Sequence, residues 1–188
     1  MGMSRKGAIV IVTLVIATLV IHSASAPAQN VPVSGVTGTM GLDGTVDKFY
    51  AGTHSALVKT ADGIRHLVHL TDRTAVHGRR PTEDPFSGLE EGSQVVVHYV
   101  VNGDTNTAVE IDRVGDGGLN LVEGTVVGID RVAKKLTIQL ADDSSMTLRL
   151  TDRAAHDVGK DVMNRAKVIV YYADEGGTRV AHYFKTVR

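Results

Sequence analysis

The sequence predicts an all-β protein: two tandem five-stranded small barrels, OB- or SH3-like, behind an N-terminal signal peptide. The first observation is an internal repeat. Leu70-Thr71-Asp72-Arg73 recurs as Leu150-Thr151-Asp152-Arg153, and Gly44-Thr45-Val46 as Gly124-Thr125-Val126, both 80 residues later. Over residues 44–75, ten of 32 positions equal their partner at that offset. Val95, Val97, Tyr99, Gly103, Ala108 and Val114 match Val168, Val170, Tyr172, Gly176, Ala181 and Val187 at an offset of 73. Two constant offsets held over long stretches argue for duplication. The change of offset marks an insertion in the first copy between Ala75 and Ser93.

The second observation is period-2 patterning. Leu136, Ile138 and Leu140 alternate with Thr137 and Gln139, and Met146, Leu148 and Leu150 with Thr147 and Arg149. Such alternation reads as half-buried strand. The third is the lack of any long capped helical pattern; only Ala154–Met163 allows one short helix, with Asp152 as its cap.

The elements follow in order. Arg5 and Lys6 form a basic start, Ala8–Ile21 is an apolar run broken only by Thr13 and Thr18, and Ala26-Pro27-Ala28 is a small-residue cleavage pattern. These are the three parts of a secretory signal peptide. The run is shorter than the roughly 18–20 residues a membrane span needs. Cleavage after Ala28 leaves Gln29 first; Ala24-Ser25-Ala26 is a second possible site. The expected division is a signal peptide over 1–28, an extended lead-in over 29–39, barrel one over 40–114, a flexible Gly-rich linker over 115–118 and barrel two over 119–188. In the first copy strands are expected near 44–50, 55–60, 64–70, 94–101 and 108–114. In the second they are expected near 123–129, 135–140, 146–150, 167–173 and 180–187. Asp62-Gly63, Asn102-Gly103 and Gly176-Gly177 supply turn chemistry. Five strands in so short a unit suit a small, partly open barrel. Val95-Val96-Val97-His98-Tyr99-Val100-Val101 is nearly continuous, as is Val168–Ala173. A run of this kind is covered on both faces, and the sister copy is the simplest cover.

Each copy thus runs Gly-Thr-Val, a hairpin, a strand ending Leu-Thr-Asp-Arg, then Val-x-Val-x-Tyr and a last strand with an internal Ala. In this the chain resembles the exported bacterial tandem OB-like small β-barrel domains of unknown function. The resemblance spans roughly 44–114 and 124–187 and rests on turn and core positions. The second copy departs from it, with Met163-Asn164-Arg165-Ala166 where the first has Leu89-Glu90-Glu91-Gly92. The resemblance implies fold and export and carries over no catalytic residue and no cofactor.

Composition excludes much. The chain has no Cys, which removes disulfides, thiolate metal sites and a thiol nucleophile. Its 20 basic and 21 acidic residues give a net charge of −1, so no basic field favours nucleic acid. No G-x-S-x-G, H-E-x-x-H or S-x-x-K motif appears. Gly115–Gly118 lacks the Lys-Ser/Thr of a phosphate loop. The sequence therefore points to an exported, non-enzymatic binding or structural protein of the bacterial envelope, periplasmic or extracellular, without a cofactor and without a membrane span after cleavage. Its expected partner is an envelope protein or a surface polysaccharide. The insertion Gly78–Phe86 has no counterpart in the second copy, and it presents Arg79, Arg80 and Phe86, residue types enriched where proteins meet. The alternative is a metal or small-ligand site built from first-copy histidines, His54, His66 and His98, since imidazole binds Zn, Cu and Ni. His66 and His69 are three apart on a strand and point to opposite faces.

Overall fold

A computed structural model describes residues 39–78, 86, 89–157 and 164–187. The expected signal peptide, nearly all of the lead-in, and Arg79 and Arg80 lie outside them. The protein is mostly β. In the first half, β1 (Thr39–Tyr50), β2 (Ser55–Lys59), β3 (Arg65–His69), β4 (Ala75–His77), β5 (Gln94–Asn102) and β6 (Thr105–Arg113) form one six-stranded sheet ordered β3-β2-β1-β5-β6-β4. In the second half, β7 (Asn120–Asp130), β8 (Lys135–Gln139), β9 (Ser145–Leu150), β10 (Lys167–Glu175) and β11 (Thr178–Thr186) close into a five-stranded barrel. Among the described residues no helix is long and apolar enough to cross a membrane.

The two halves share their hydrogen-bond register. Thr45 faces Lys59 as Thr125 faces Gln139, and Gly44 faces Val95 as Gly124 faces Val168. Bulges fall at matching places, after Val46 and Val126 and after His98 and Tyr171. The barrel closes where Val180 meets Arg149; the counterpart pair, Thr107 and His69, joins β6 to β3. The repeated Gly-Thr-Val has a steric reason. A Cβ on Gly44 would lie 2.5 Å from the Lys59 carbonyl oxygen, and one on Gly124 2.8 Å from that of Gln139. Glycine lets β1 and β7 bend sharply enough to pair with one neighbour along their first part and another along their second.

Each half holds its own core. Leu42, Val46, Val58, Val68, Val95, Val97, Tyr99 and Ile111 pack in the first, joined by Phe86 and Leu89. Val126, Leu136, Ile138, Leu148, Leu150, Val168 and Val170 pack in the second. The Leu-Thr-Asp-Arg motifs end a strand and tighten the next turn. Thr151 Oγ accepts from the Ala154 N–H at 3.0 Å and so caps α1 (Asp152–Asp157). The cap is therefore Thr151 and not Asp152, and the helix begins two residues before the expected Ala154. In the first copy the same motif leads instead into β4, an element the periodicity did not reveal. Gly115–Gly118 is a hydrogen-bonded turn rather than a loose tether: Gly118 N–H donates to Gly115 O at 2.8 Å and Leu119 N–H to Arg113 O at 2.7 Å.

A third cluster joins the halves. Val96 on the outer face of β5 packs with Leu119, Tyr171 and Tyr183, and Ile169 and Ala173 flank them. Both faces of β5 are thus covered from Val95 to Tyr99, as the apolar run implies, while Val101 at its end is exposed. Asp43 fastens the contact: it accepts from Tyr171 Oη at 2.7 Å and from Lys185 Nζ at 2.5 Å. Hydrogen bonds to a charged group are worth about 1.5–3 kcal/mol. Burial and the Asp43 carboxylate both push the Tyr171 phenol above its ordinary range, so it remains a donor. Gly41 lets the ring of Tyr183 approach, since a Cβ there would lie 2.8 Å from Tyr183 Cε2. Gly41→Ala should therefore strain the contact between the halves and lower unfolding free energy by about 1–3 kcal/mol. Urea unfolding of the two proteins side by side checks this, and an unchanged midpoint would show that the ring yields freely.

Candidate functional site

The residues expected to carry function are dispersed. Phe86 is only 5% exposed and sits in the first core, with its ring centroid 5.1 Å from that of His54. It is a packing residue and not an anchor displayed to a partner. His54 is an exposed left-handed residue, φ 44°, after β1. His66 is half-buried on β3, opposite Val58. His98 is buried on the outer face of β5, its ring edge-on to Tyr183 with centroids 5.9 Å apart. These three histidines do not come together. Among the described residues, one group of three potential metal ligands converges, and it is His77, Glu110 and Asp112.

The strands explain that convergence. β4 runs parallel to β6, with Ala75 opposite Glu110 and His77 opposite Asp112. Glu110 and Asp112 are two apart on β6 and share a face. His77 Nδ1 lies 2.7 Å from Asp112 Oδ1 and 3.3 Å from Glu110 Oε1. Arg153 of α1 donates to the other Glu110 oxygen, an ion pair across the two halves. Asp112 is 1% exposed, and its Oδ2 is buried with no hydrogen-bond partner. Arg113 Nε and Arg153 Nε are likewise buried without hydrogen-bond partners. Burial, and then the neighbouring Glu110 charge, raise the Asp112 carboxyl, while the His77 hydrogen bond opposes them.

Asp112 and His77 open on a groove of about 320 Å³ between the halves, whose other walls include Arg113, Gly118, Glu175 and His182. His182 Nε2 is 3.0 Å from Glu175 Oε1. Two further grooves, about 470 and 380 Å³, are counterparts of one another: Gly44, Lys59, Ala61 and Gln94 line the first, and Gly124, Gln139, Ala141 and Lys167 the second. A feature present in both copies belongs to the fold. The groove at Asp112 draws on both halves. The site was missed in the sequence because Ala75–His77 is too short for a periodicity signal. The one legible trace was the alternation Glu110-Ile111-Asp112, which puts two carboxylates on one face of a strand.

Fold and groove together describe a β-barrel protein with a histidine–carboxylate cluster where its halves meet. No protein-family model matches the chain, and no curated protein matches it. Solved structures similar to it include that of Ag(I)CusF, at 20% identity over 37% of this chain and 97% of that one, with a TM-score of 0.30. Apo-CusF residues 6–88 from Escherichia coli is 19% identical over 39% and 95%, with a TM-score of 0.31. Drosophila Unr CSD456 is 12% identical over 79% and 62%, with a TM-score of 0.34. Likenesses of this size carry no argument about what this chain binds.

Two predictions follow from the placements of Phe86 and His98. Phe86→Ala should cost about 3–5 kcal/mol of unfolding free energy, the usual loss for a buried phenylalanine; a loss near zero in calorimetry would return Phe86 to the surface. Burial, with help from the charges of Arg153 and His182, lowers the His98 pKa from 6.5 to about 3. Between those values the unfolded chain holds one more proton than the folded one, so this group's contribution to stability is complete above 6.5 and lost as pH falls toward 3. The slope from one such group is about 1.4 kcal/mol per pH unit. The raised Asp112 acts in the opposite sense and is common to both proteins, so His98→Leu should flatten the curve of stability against pH over this window. Parallel curves for the two proteins would show that His98 titrates normally.

Proposed function

We propose that this chain is an exported, non-enzymatic binding protein of the bacterial envelope, built as two copies of one small OB-like barrel, and that its ligand lies in the groove between them. The observation that carries this reading is the Asp112 carboxylate, buried, with one oxygen unpartnered at a groove lined by His77, His182 and Glu175. A buried polar atom without a partner costs free energy that the fold does not recover; a bound ligand supplies the partner. Export is supported by the basic start, apolar run and Ala-x-Ala pattern of residues 5–28. The duplication is supported by the shared register of the two halves. The insertion that carries Arg79 and Arg80 follows directly on Gly78, a groove residue, and suits contact with an envelope protein or surface polysaccharide that approaches the same groove.

The test is native mass spectrometry of the untagged protein recovered from its own envelope fraction. The expected result is the mass of Gln29–Arg188 with one stoichiometric adduct. A chain still carrying residues from Met1 would overturn cleavage, and a bare mass would overturn the bound ligand.

A further inference from the structure

We infer that His77, Glu110 and Asp112 bind one divalent first-row transition ion of the zinc class. This rests on the groove being the binding site and names what it takes. One imidazole nitrogen and two carboxylates have ligand atoms that all lie within 4.8 Å of one another. A tetrahedral ion with bonds of roughly 2.0–2.1 Å has ligand-to-ligand edges of roughly 3.3 Å. The His77 Nδ1 to Glu110 separation of 3.3 Å matches that edge and the 2.7 Å separation to Asp112 falls short of it, so a small outward shift of side chains admits the ion. The ligands stand on two hydrogen-bonded strands rather than on loops, so the backbone already holds their spacing.

Donor type selects the ion. Net charge does not: the carboxylates of Asp112, Glu110 and Glu175 stand with the guanidiniums of Arg153, Arg113 and Arg149, the last paired with Glu175 at 3.2 Å. A monovalent soft ion seeks thiolate or thioether sulfur, and no sulfur takes part in this cluster. Calcium seeks six to eight oxygens, more than these side chains offer. Zinc accepts nitrogen and carboxylate oxygen together and needs four ligands, so three from the protein leave one position for the groove.

The second copy supplies a control within the chain. At an offset of 73, Glu110 and Asp112 correspond to Tyr183 and Lys185. The barrel closes there without the cluster, so the fold itself does not demand these two carboxylates.

The experiment titrates the untagged exported chain with Zn²⁺ by calorimetry and native mass spectrometry, and with Co²⁺ followed by its visible absorption. One ion per chain is expected, with a tetrahedral Co²⁺ spectrum and no competition from equimolar Ca²⁺. His77→Gln and Asp112→Asn should each weaken binding by more than about a hundredfold, beyond the roughly 10–100-fold loss usual for partners one shell further out. His54→Gln and His66→Gln should leave it unchanged. The His77 side chain is 54% exposed, so its variant should fold even where the buried Asp112→Asn does not, and thermal melts of each variant report this. Wild-type protein that retains no zinc, or zinc binding untouched by His77→Gln, overturns the inference and leaves the cluster as an ion-pair network. If zinc is rejected while the envelope-derived protein still carries an adduct, the ion alone is overturned. If both are absent, the binding reading falls with it.

Discussion

From Val95 to Tyr99, β5 has no face left for water. Val95, Val97 and Tyr99 enter the first core, while Val96 and His98 turn outward against Tyr171 and Tyr183. Burying a valine fully stabilises by about 1.5–3 kcal/mol relative to exposure, and a small barrel buries too little apolar surface to forgo such contributions. The second half is therefore part of what makes the first half stable. The positions of Asp43, Gly41 and Gly115–Gly118 follow from this contact. Asp43 gathers a phenol and an ammonium from the opposite half, Gly41 admits a tyrosine ring, and the short turn keeps the halves adjacent.

The same contact creates the groove. A six-stranded sheet and a closed barrel pressed together at one apolar patch leave a cleft beside it, and that cleft is where β4 and β6 bring His77 and Asp112. Packing and electrostatics meet at Arg153. It leaves α1 of the second half and reaches Glu110 of the first, so the charge that neutralises one carboxylate of the cluster depends on docking. The chemistry of the cluster is thus tied to the arrangement of the halves.

Much of the fold was legible because strands announce themselves by period. The runs around Val95 and Val168 and the alternation Leu136-Thr137-Ile138 place strands to within a few residues, and the two offsets foretell the shared register. Other features were hidden for physical reasons. β4 has three residues, fewer than any alternation needs, and exists because β6 offers it a free edge. Phe86 stands in an insertion rich in Pro and acidic residues and reads as displayed, but an aromatic ring beside an open core end is drawn in. His54, His66 and His98 drew notice through their residue type alone. The histidine that meets carboxylates is His77, and its partners lie more than thirty residues away, joined by a parallel pairing that no local pattern encodes.

Duplication explains why one end of the interface is polar. Val96 and His98 correspond at an offset of 73 to Ile169 and Tyr171, and all four lie at the contact. The copies therefore meet through equivalent faces, the arrangement of a two-fold pair. Such a pair would treat both ends alike. Here the outward positions of the last strand have diverged. Tyr183 and Lys185 on β11 pack and pair with the first half, whereas Glu110 and Asp112 on β6 meet His77, and Glu110 also meets Arg153. At Glu110 the two roles meet: it pairs with Arg153 across the halves and with His77 within the cluster, on the same face as Asp112 with its unpartnered oxygen. Residues matching across the repeat thus hold the halves together in both places, and the divergence of the last strand leaves the Asp112 oxygen available for a ligand.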